Sequence, residues 1–230
     1  MLSLTTLGLN LFLPGLRARR RIAGIFSRAF LRAARIPLDV QHCERLPREP
    51  CVVVANHASY IDGIIAVAAL PPDFAFVIKK EMVRVPLAGL LLRRLGSEFV
   101  ERFNRHKSAA DTRRVLRLAA TGQSLVFFPE GTFGRDIGLR HFHIGGFAAA
   151  VRADLPLLPV MIHGTRRCLP PDSAWPRPGT IRIEVLMALA AHASASEQDV
   201  REHALQLRAM ARAALLAVLG EPDLDPGAHQ

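Results

Sequence analysis

Short runs of β-branched and aromatic residues alternate with longer stretches of helical periodicity, and this alternation limits the possible folds most strongly. The strand-like runs include CVVVAN, SLVFF and TIRIEV, whose side chains favour an extended backbone. We predict strands at 38–42, 51–55, 74–79, 98–102, 124–128, 157–162 and 180–186. We predict helices at 60–70, 86–95, 105–120, 144–154 and 196–219. This order predicts an α/β fold, with a mixed sheet flanked by helices.

Positive charge is concentrated near the N-terminus. The first 36 residues hold seven arginines and no acidic residue, within a chain whose formal net charge is +10. Ile22, Phe26 and Leu31 lie among these arginines, a mixture typical of an amphipathic helix at a membrane surface. We expect residues 1–36 to form a shallow, monotopic anchor on anionic lipids. The alternative is an ordinary helix that packs on the domain and exposes its arginines to water.

Two other classes of partner are disfavoured by the composition. Proteins that bind single-stranded nucleic acid pair basic grooves with aromatic platforms, but aromatic residues make up only 6% of this chain. We therefore expect no nucleic-acid partner.

The three cysteines Cys43, Cys51 and Cys168 fit no metal-binding spacing, and their sparse, odd number favours a reducing compartment. We expect no metal, and a location on the cytoplasmic face of a membrane.

The chain shows no internal repeat and no long linker, so one central domain is the simplest organisation. We place the anchor at 1–36 and an α/β domain at 37–195. A C-terminal helix at 196–220 begins with a capping-box pattern and ends at a glycine. The tail at 221–230 is expected to be loose.

Polar residues follow the predicted strand at 51–55. Asn56 and His57 end the strand, and Asp62 lies in the first turn of the next helix. Such strand ends are where α/β folds bind ligands. If His57 lies in the loop, the Asp62 carboxylate can orient its imidazole as a general base. The alternative is a purely structural helix cap formed by Ser59 and Asp62.

The same five-residue spacing recurs at His106 and Asp111. This second pair opens a charged helix, and no predicted strand ends at it. We interpret it as part of a solvated helix face.

Two further predicted strands end in polar turns. In FFPEGTFGRD, Gly131 permits close approach of the backbone to a ligand, and Glu130 would accept a hydrogen bond from a substrate hydroxyl. The alternative is a plain turn. Arg102 ends the fourth predicted strand, where its planar guanidinium suits a phosphate. The alternative there is a salt bridge to a neighbouring glutamate.

Together, four sequence blocks resemble the glycerolipid acyltransferases, which include the lysophosphatidate acyltransferases. The first block, NHxSxxD, is similar to NHASYID at 56–62, and the second to GSEFVER at 96–102. The third is similar to FPEGT at 128–132 and the fourth to LPV at 158–160. The resemblance covers about residues 38–167, with all four blocks in order.

This resemblance implies transfer of an acyl chain to the free hydroxyl of a lysophospholipid, chiefly 1-acyl-glycerol-3-phosphate. The donor would be a thioester on coenzyme A or acyl carrier protein, with no other cofactor. His57 would be the general base, and Asp62 would orient it. The residues implied to bind substrate are Asn56, Ser59, Arg102, Glu130, Gly131 and Thr132.

One departure leaves the acceptor open. Many family members have arginine or serine directly after the EGT, whereas Phe133 follows Thr132 here and the next arginine is Arg135. Either Arg135 supplies the missing charge or the acceptor is another lyso-lipid, such as a lyso-ornithine lipid. An alternative of a different class is a non-enzymatic, basic membrane-docking module, which would leave the polar strand ends unexplained.

Overall fold

A seven-stranded mixed sheet forms the centre of the molecule. The computed structural model describes residues 13–101, 105–193 and 196–225, with only the backbone described for 105–112. The strands are β1 (Leu38–Gln41), β2 (Val52–Ala55), β3 (Phe74–Lys79), β4 (Glu98–Val100), β5 (Ser124–Phe127), β6 (Leu157–His163) and β7 (Ile181–Val185). Their spatial order is β1-β7-β6-β2-β5-β3-β4. All these neighbours pair in parallel except β6 and β7, which are antiparallel. The predicted mixed α/β fold is confirmed.

Helices cover both faces of this sheet. They are α1 (Leu16–Ala33), α2 (Asp62–Ala69), α3 (Ala88–Arg94), α4 (Arg105–Ala120), α5 (Gly145–Ala153), α6 (Thr165–Cys168) and α7 (Glu197–Leu219). Two short 3-10 helices lie at Cys43–Arg45 and Lys80–Arg84. Every predicted strand and helix is present, with ends that differ by at most two residues wherever the ends are described.

The core has two apolar layers, one on each face of the sheet. Phe142, Phe147 and Met161 belong to the layer beneath α5 and α7. Leu31 and Ile65 belong to the layer beneath α1 and α2. All four residues of β2 are buried, as expected of a central parallel strand with helices on both faces. The core therefore holds the end of β2 rigidly in place.

Helix α1 packs on the domain through its inner face. Gly24 lies so close to α2 that an added Cβ would sit 3.2 Å from the carbonyl oxygen of Val67. Arg20, only 9% exposed, donates to the carbonyl oxygen of Leu95 at 2.8 Å, and burial lowers its pKa to about 10. Arg28 donates to the carbonyl oxygen of Ala68 at 2.7 Å. The helix thus shares the domain core.

The outer face of α1 remains exposed and basic. Arg21 and Arg32 are exposed along it, together with Ile25, and Arg17 is exposed next to Asp73. The uncharged residues 1–12 of the expected anchor lie outside the described residues. None of the described helices has the length and apolar character needed to cross a membrane.

The C-terminal tail differs from its expected loose state over 221–225. The backbone N–H of Leu139 donates to the Pro222 carbonyl, and Leu224 donates back to Leu139, both at 3.0 Å. The buried Arg212 bonds to the Leu139 carbonyl at 3.0 Å and to the Asp223 carboxylate. These bonds dock the tail because they pair its backbone with a segment distant in sequence. Residues 226–230 lie outside the described part.

Candidate active site

Two strand ends meet at one edge of the sheet. Strands β2 and β5 are parallel neighbours, so their carboxyl ends lie side by side. The turn at 56–62 follows β2, and the turn at 128–132 follows β5. Such an edge is the usual ligand site of an α/β sheet.

His57 and Asp62 form a hydrogen-bonded pair in the turn after β2. The Nδ1 atom of His57 lies 2.8 Å from Oδ2 of Asp62. Asp62 begins α2 and is fully buried, whereas the His57 side chain is 19% exposed. A carboxylate can only accept here, so the pair places a proton on Nδ1 and leaves Nε2 able to accept one. The loop position of His57 makes this contact possible, as the sequence predicts.

Asp62 also holds the turn itself. The same Oδ2 atom accepts hydrogen bonds from the backbone N–H groups of Ala58 at 2.7 Å and Ser59 at 2.8 Å. The two interpretations of this motif are therefore compatible. One carboxylate caps the turn and orients the imidazole.

Aromatic rings surround the His57 imidazole. Phe128 lies tilted against it, with ring centroids 4.7 Å apart. Phe133 meets it edge-on, also at 4.7 Å. Tyr60 packs edge-on against Phe133 at 4.6 Å and is itself 64% exposed. The residue that replaces the common arginine or serine thus contacts the candidate base directly.

Glu130 joins the two turns. Its Oε1 atom accepts from the backbone N–H of His57 at 2.6 Å, and its Oε2 atom accepts from the backbone N–H of Arg140 at 2.9 Å. Burial raises the pKa of Glu130 to about 7, although both N–H groups favour its charged form. The sequence suggested contact with a substrate hydroxyl. In the structure, Glu130 uses both oxygens to position the backbone.

Asn56 and Ser59 were also expected to bind substrate, but their side chains bond within the protein. The Asn56 amide donates to the carbonyl of Ile162 at 3.0 Å and accepts from its N–H at 2.7 Å. It thereby extends the contact between β2 and β6 beyond the last strand pair. The buried Ser59 hydroxyl donates to the carbonyl of Leu169 at 2.6 Å. Their binding of substrate stays a prediction from sequence.

The turn after β5 exposes Thr132. Gly131 has a φ of 71° and donates its N–H to the Phe128 carbonyl at 3.0 Å, which closes a tight turn favourable for glycine. Thr132 is exposed beyond this turn. Arg135, the proposed substitute charge, is 81% exposed and pairs with Asp172 at 2.8 Å.

Three residues named from the sequence cannot be placed. Arg102 lies outside the described residues, as do the side chains of His106 and Asp111. The predicted phosphate contact of Arg102 and the comparison between the two His–Asp pairs therefore remain predictions from sequence.

An open cleft of about 480 Å³ adjoins Glu130. Its lining consists of Glu130, Thr132, Asp136, Arg140, His141, His143 and Leu224. Sequence analysis singled out only the first two, since the others come from the loop before α5 and from the tail. The two closely spaced histidines of HFH at 141–143 were the sequence feature that could have indicated this part of the cleft. Over the described parts of the chain, no group of three or more His, Cys, Asp or Glu residues is arranged to hold a metal ion.

The fold and site together define an α/β domain with a carboxylate-oriented histidine at a strand end. The model of the family described as Acyltransferase matches residues 37–163, more than half of the chain. This chain belongs to the acyltransferase family.

Curated relatives include enzymes with different acceptors in their names. The chloroplastic 1-acyl-sn-glycerol-3-phosphate acyltransferase BAT2 of Brassica napus is 31% identical over 137 residues, which are 59% of this chain and 40% of that protein. The lyso-ornithine lipid O-acyltransferase of Pseudomonas aeruginosa is 35% identical over 141 residues, 61% of this chain and 54% of that protein. These matches span about half the length of the relatives.

A solved structure shares the fold. The 1-acyl-sn-glycerophosphate (LPA) acyltransferase PlsC from Thermotoga maritima superposes with a TM-score of 0.70 at 22% identity. The match covers 93% of this chain and 88% of that one. The likeness includes the mixed sheet and extends well beyond the family-model region.

Proposed function

We propose that the protein transfers an acyl chain from a thioester donor to the free hydroxyl of a lysophospholipid. The acceptor proposed first is 1-acyl-glycerol-3-phosphate, giving phosphatidate, and the donor is acyl-CoA or acyl carrier protein. The observation that carries this proposal is the 2.8 Å contact between His57 and Asp62 at a strand end. The names of several relatives support the choice of acceptor.

In the proposed reaction, Nε2 of His57 removes the proton from the acceptor hydroxyl. The hydroxyl oxygen then attacks the thioester carbonyl carbon and forms a tetrahedral intermediate. The carbon–sulfur bond breaks, and the leaving thiolate takes the proton back from His57. The carboxylate of Asp62 stabilises the imidazolium that exists between these steps. The substrate itself is the nucleophile, so no acyl-enzyme is formed.

Substrate binding is assigned to the turn after β5 and to Arg102. We propose that the Arg102 guanidinium is one of the groups that bind the acceptor phosphate. Gly131 and the exposed Thr132 would face the polar groups of the acceptor. Glu130, Asn56 and Ser59 would keep the two turns in register.

The direct test is a transfer assay with the full-length protein. Purified protein is mixed with 1-oleoyl-glycerol-3-phosphate and palmitoyl-CoA, and phosphatidate is identified by mass alongside release of free thiol. His57→Ala should lower the rate by about 10²- to 10⁴-fold. The control is His106→Ala, which removes the histidine of the other five-residue pair and should leave the rate nearly unchanged. Equal losses in both variants would refute the assignment.

A second acceptor is favoured by the surroundings of His57. Phe133 occupies the position of a common arginine, and Arg135 pairs with Asp172 instead. The adjoining cleft carries both acidic and basic groups, which suits a head group with an ammonium and a carboxylate, as in lyso-ornithine lipid. Competition between lyso-ornithine lipid and lysophosphatidate for one acyl-CoA, read by product mass, decides between the two.

We further propose that the protein acts peripherally at an anionic membrane surface, on its cytoplasmic face. The exposed arginines on the outer face of α1 support this placement, because each basic residue near an anionic surface contributes about 1 kcal/mol to membrane binding. Deleting residues 1–36 would also remove Leu31 and Ile36 from the core. Charge neutralisation is therefore the cleaner test.

The test measures sedimentation with vesicles that contain phosphatidylglycerol. The double variant Arg21→Gln/Arg32→Gln should bind about 30-fold more weakly at low salt, the equivalent of about 2 kcal/mol. Arg201→Gln, an exposed arginine on α7, is the control and should bind like the parent. Unchanged binding of the double variant would exclude this face of α1.

A further inference from the structure

The cleft beside Glu130 is built from the long loop between β5 and α5 and from the C-terminal tail. The loop after β5 contributes Thr132 and Asp136, and the segment before α5 contributes Arg140, His141 and His143. The docked tail contributes Leu224. One of its lining residues, Glu130, also accepts from the backbone N–H of His57 at 2.6 Å, so the cleft is linked to the turn that holds the candidate base.

The tail fixes the far wall of this cleft. The Oδ2 atom of Asp225 lies 2.7 Å from the Nδ1 atom of His141. An added Cβ at Gly138 would lie 2.4 Å from the Pro222 carbonyl oxygen, so the two segments pack backbone against backbone. The buried Arg212 ties them together through Leu139 and Asp223. The wall is therefore a built feature of the fold.

The charges in the cleft are of both signs. Arg140 pairs with Asp136 at 2.6 Å, and His141 pairs with Asp225. His143 is exposed, and its ring lies edge-on to that of His141 at 5.7 Å. Two imidazoles and one guanidinium thus line an open volume together with the carboxyl groups of Glu130 and Asp136. This set can bind an acidic oxygen while also accepting hydrogen bonds from hydroxyl or ammonium groups.

We propose that this cleft binds the acidic head group of the lyso-lipid acceptor, a phosphate or a carboxylate, and that the C-terminal segment Glu221–Asp225 helps to select it. In its doubly protonated form, His141 donates from Nε2 to the head group, Leu224 limits the space, and Asp225 is a positioning residue that orients His141. The inference rests on the proposed acyl transfer, because it places the acceptor hydroxyl at His57 and the head group next to it.

The experiment separates acceptor binding from the rest of the reaction. KM is measured for the acceptor and for palmitoyl-CoA in full-length His141→Ala, Asp225→Asn and Leu224→Trp. We expect each change to raise the acceptor KM, by about tenfold for His141→Ala, while the donor KM stays within twofold. Asp225→Asn should have a smaller effect on KM and little effect on kcat, since it acts through His141.

Two acceptors distinguish the source of the acidic oxygen. Lysophosphatidate presents a phosphate, and lyso-ornithine lipid presents a carboxylate with a nearby ammonium group. The acceptor that the protein uses should show the tenfold KM change in His141→Ala. Leu224→Trp should affect the larger of the two head groups more strongly.

Matched controls make the result decisive. His203→Ala and Asp39→Asn are the same changes at exposed positions on α7 and β1, and both should leave the acceptor KM unchanged. Thermal unfolding checks that each variant is folded, and the two surface variants His141→Ala and Asp225→Asn serve even if Leu224→Trp is unstable. If the parent transfers acyl chains but these two variants keep the parental acceptor KM, the cleft inference is wrong. If the parent transfers to neither acceptor, the proposed function fails first.

Discussion

The turns after β2 and β5 lie side by side but are built differently. In the first turn, Asp62 accepts three hydrogen bonds through one oxygen and is fully buried. In the second turn, Thr132 is exposed, and Arg135 extends into solvent. A tightly bonded turn thus holds the candidate base, while the loop after β5 exposes side chains such as Thr132 to solvent.

This difference suggests a division of labour between the two turns. The geometry of a proton transfer tolerates little error, so the residues that perform it are held by several bonds. An acceptor head group can vary, and an open loop can change without disturbing the base. Glu130 is the link, because it belongs to the second turn and accepts from the backbone N–H of His57 in the first.

The largest expected effect comes from Asp62→Asn in the first turn. An amide can still occupy the space, but it cannot stabilise an imidazolium as a carboxylate does. We expect kcat to fall by about 10²- to 10⁴-fold with little change in the acceptor KM. The measurement is steady-state acyl transfer with free thiol detection.

Asp172→Asn is the matched control for this variant, because it removes an exposed carboxylate that pairs with Arg135 in the second region. It should change kcat by less than about twofold, in keeping with the small contribution of exposed ion pairs. Similar losses in the two variants would contradict the division between the turns.

The sequence predicted the first turn well because its chemistry is local. His57 and Asp62 are five residues apart, and a strand followed by a helix allows few geometries between them. The same holds for the sheet, since its strands are marked by runs such as VVVA in β2. The shared fold confirms the prediction of the mixed sheet.

The second region was harder to predict because its contacts join distant parts of the chain. The two oxygens of Glu130 bond to residues 73 and 10 positions away. His141 meets Asp225, 84 positions away, through a tail that looked loose from its composition. Asn56 likewise bonds across 106 positions. No local pattern reveals such partners.

A smaller effect, on stability, is expected from Glu130→Gln at the link between the turns. Burial raises the pKa of Glu130 from 4.5 to about 7. The stabilisation from its bound proton is fully present below pH 4.5 and is lost as pH rises through about 7. The parent should therefore lose roughly 3 kcal/mol from this group across that window, whereas the glutamine variant should not.

Urea unfolding at pH 5 and pH 8 measures this difference in slope. Glu197→Gln is the matched control, because pairing with Arg152 lowers the pKa of Glu197 below its ordinary value of 4.5. The contribution of that group changes only below pH 4.5, so the control should keep the parental loss of stability between pH 5 and pH 8. A parent and a Glu130→Gln variant with the same pH dependence would show that this carboxyl group does not titrate as a buried acid.

The smallest expected effect comes from Phe133, where the two turns touch. Phe133 belongs to the loop after β5, and its ring packs edge-on against the His57 imidazole with centroids 4.7 Å apart. An aromatic contact of this kind contributes about 0.5–1.5 kcal/mol, so Phe133→Ala should lower kcat by about two- to tenfold. Phe133→Arg should instead favour a phosphate-bearing acceptor over a zwitterionic one, because it restores a cation beside the base. The matched control is Phe26→Ala on α1, an aromatic side chain on a helix away from both turns. If Phe133→Ala lowered kcat as severely as Asp62→Asn, the open loop would be part of the proton-transfer machinery, and the division between the two turns would have to be abandoned.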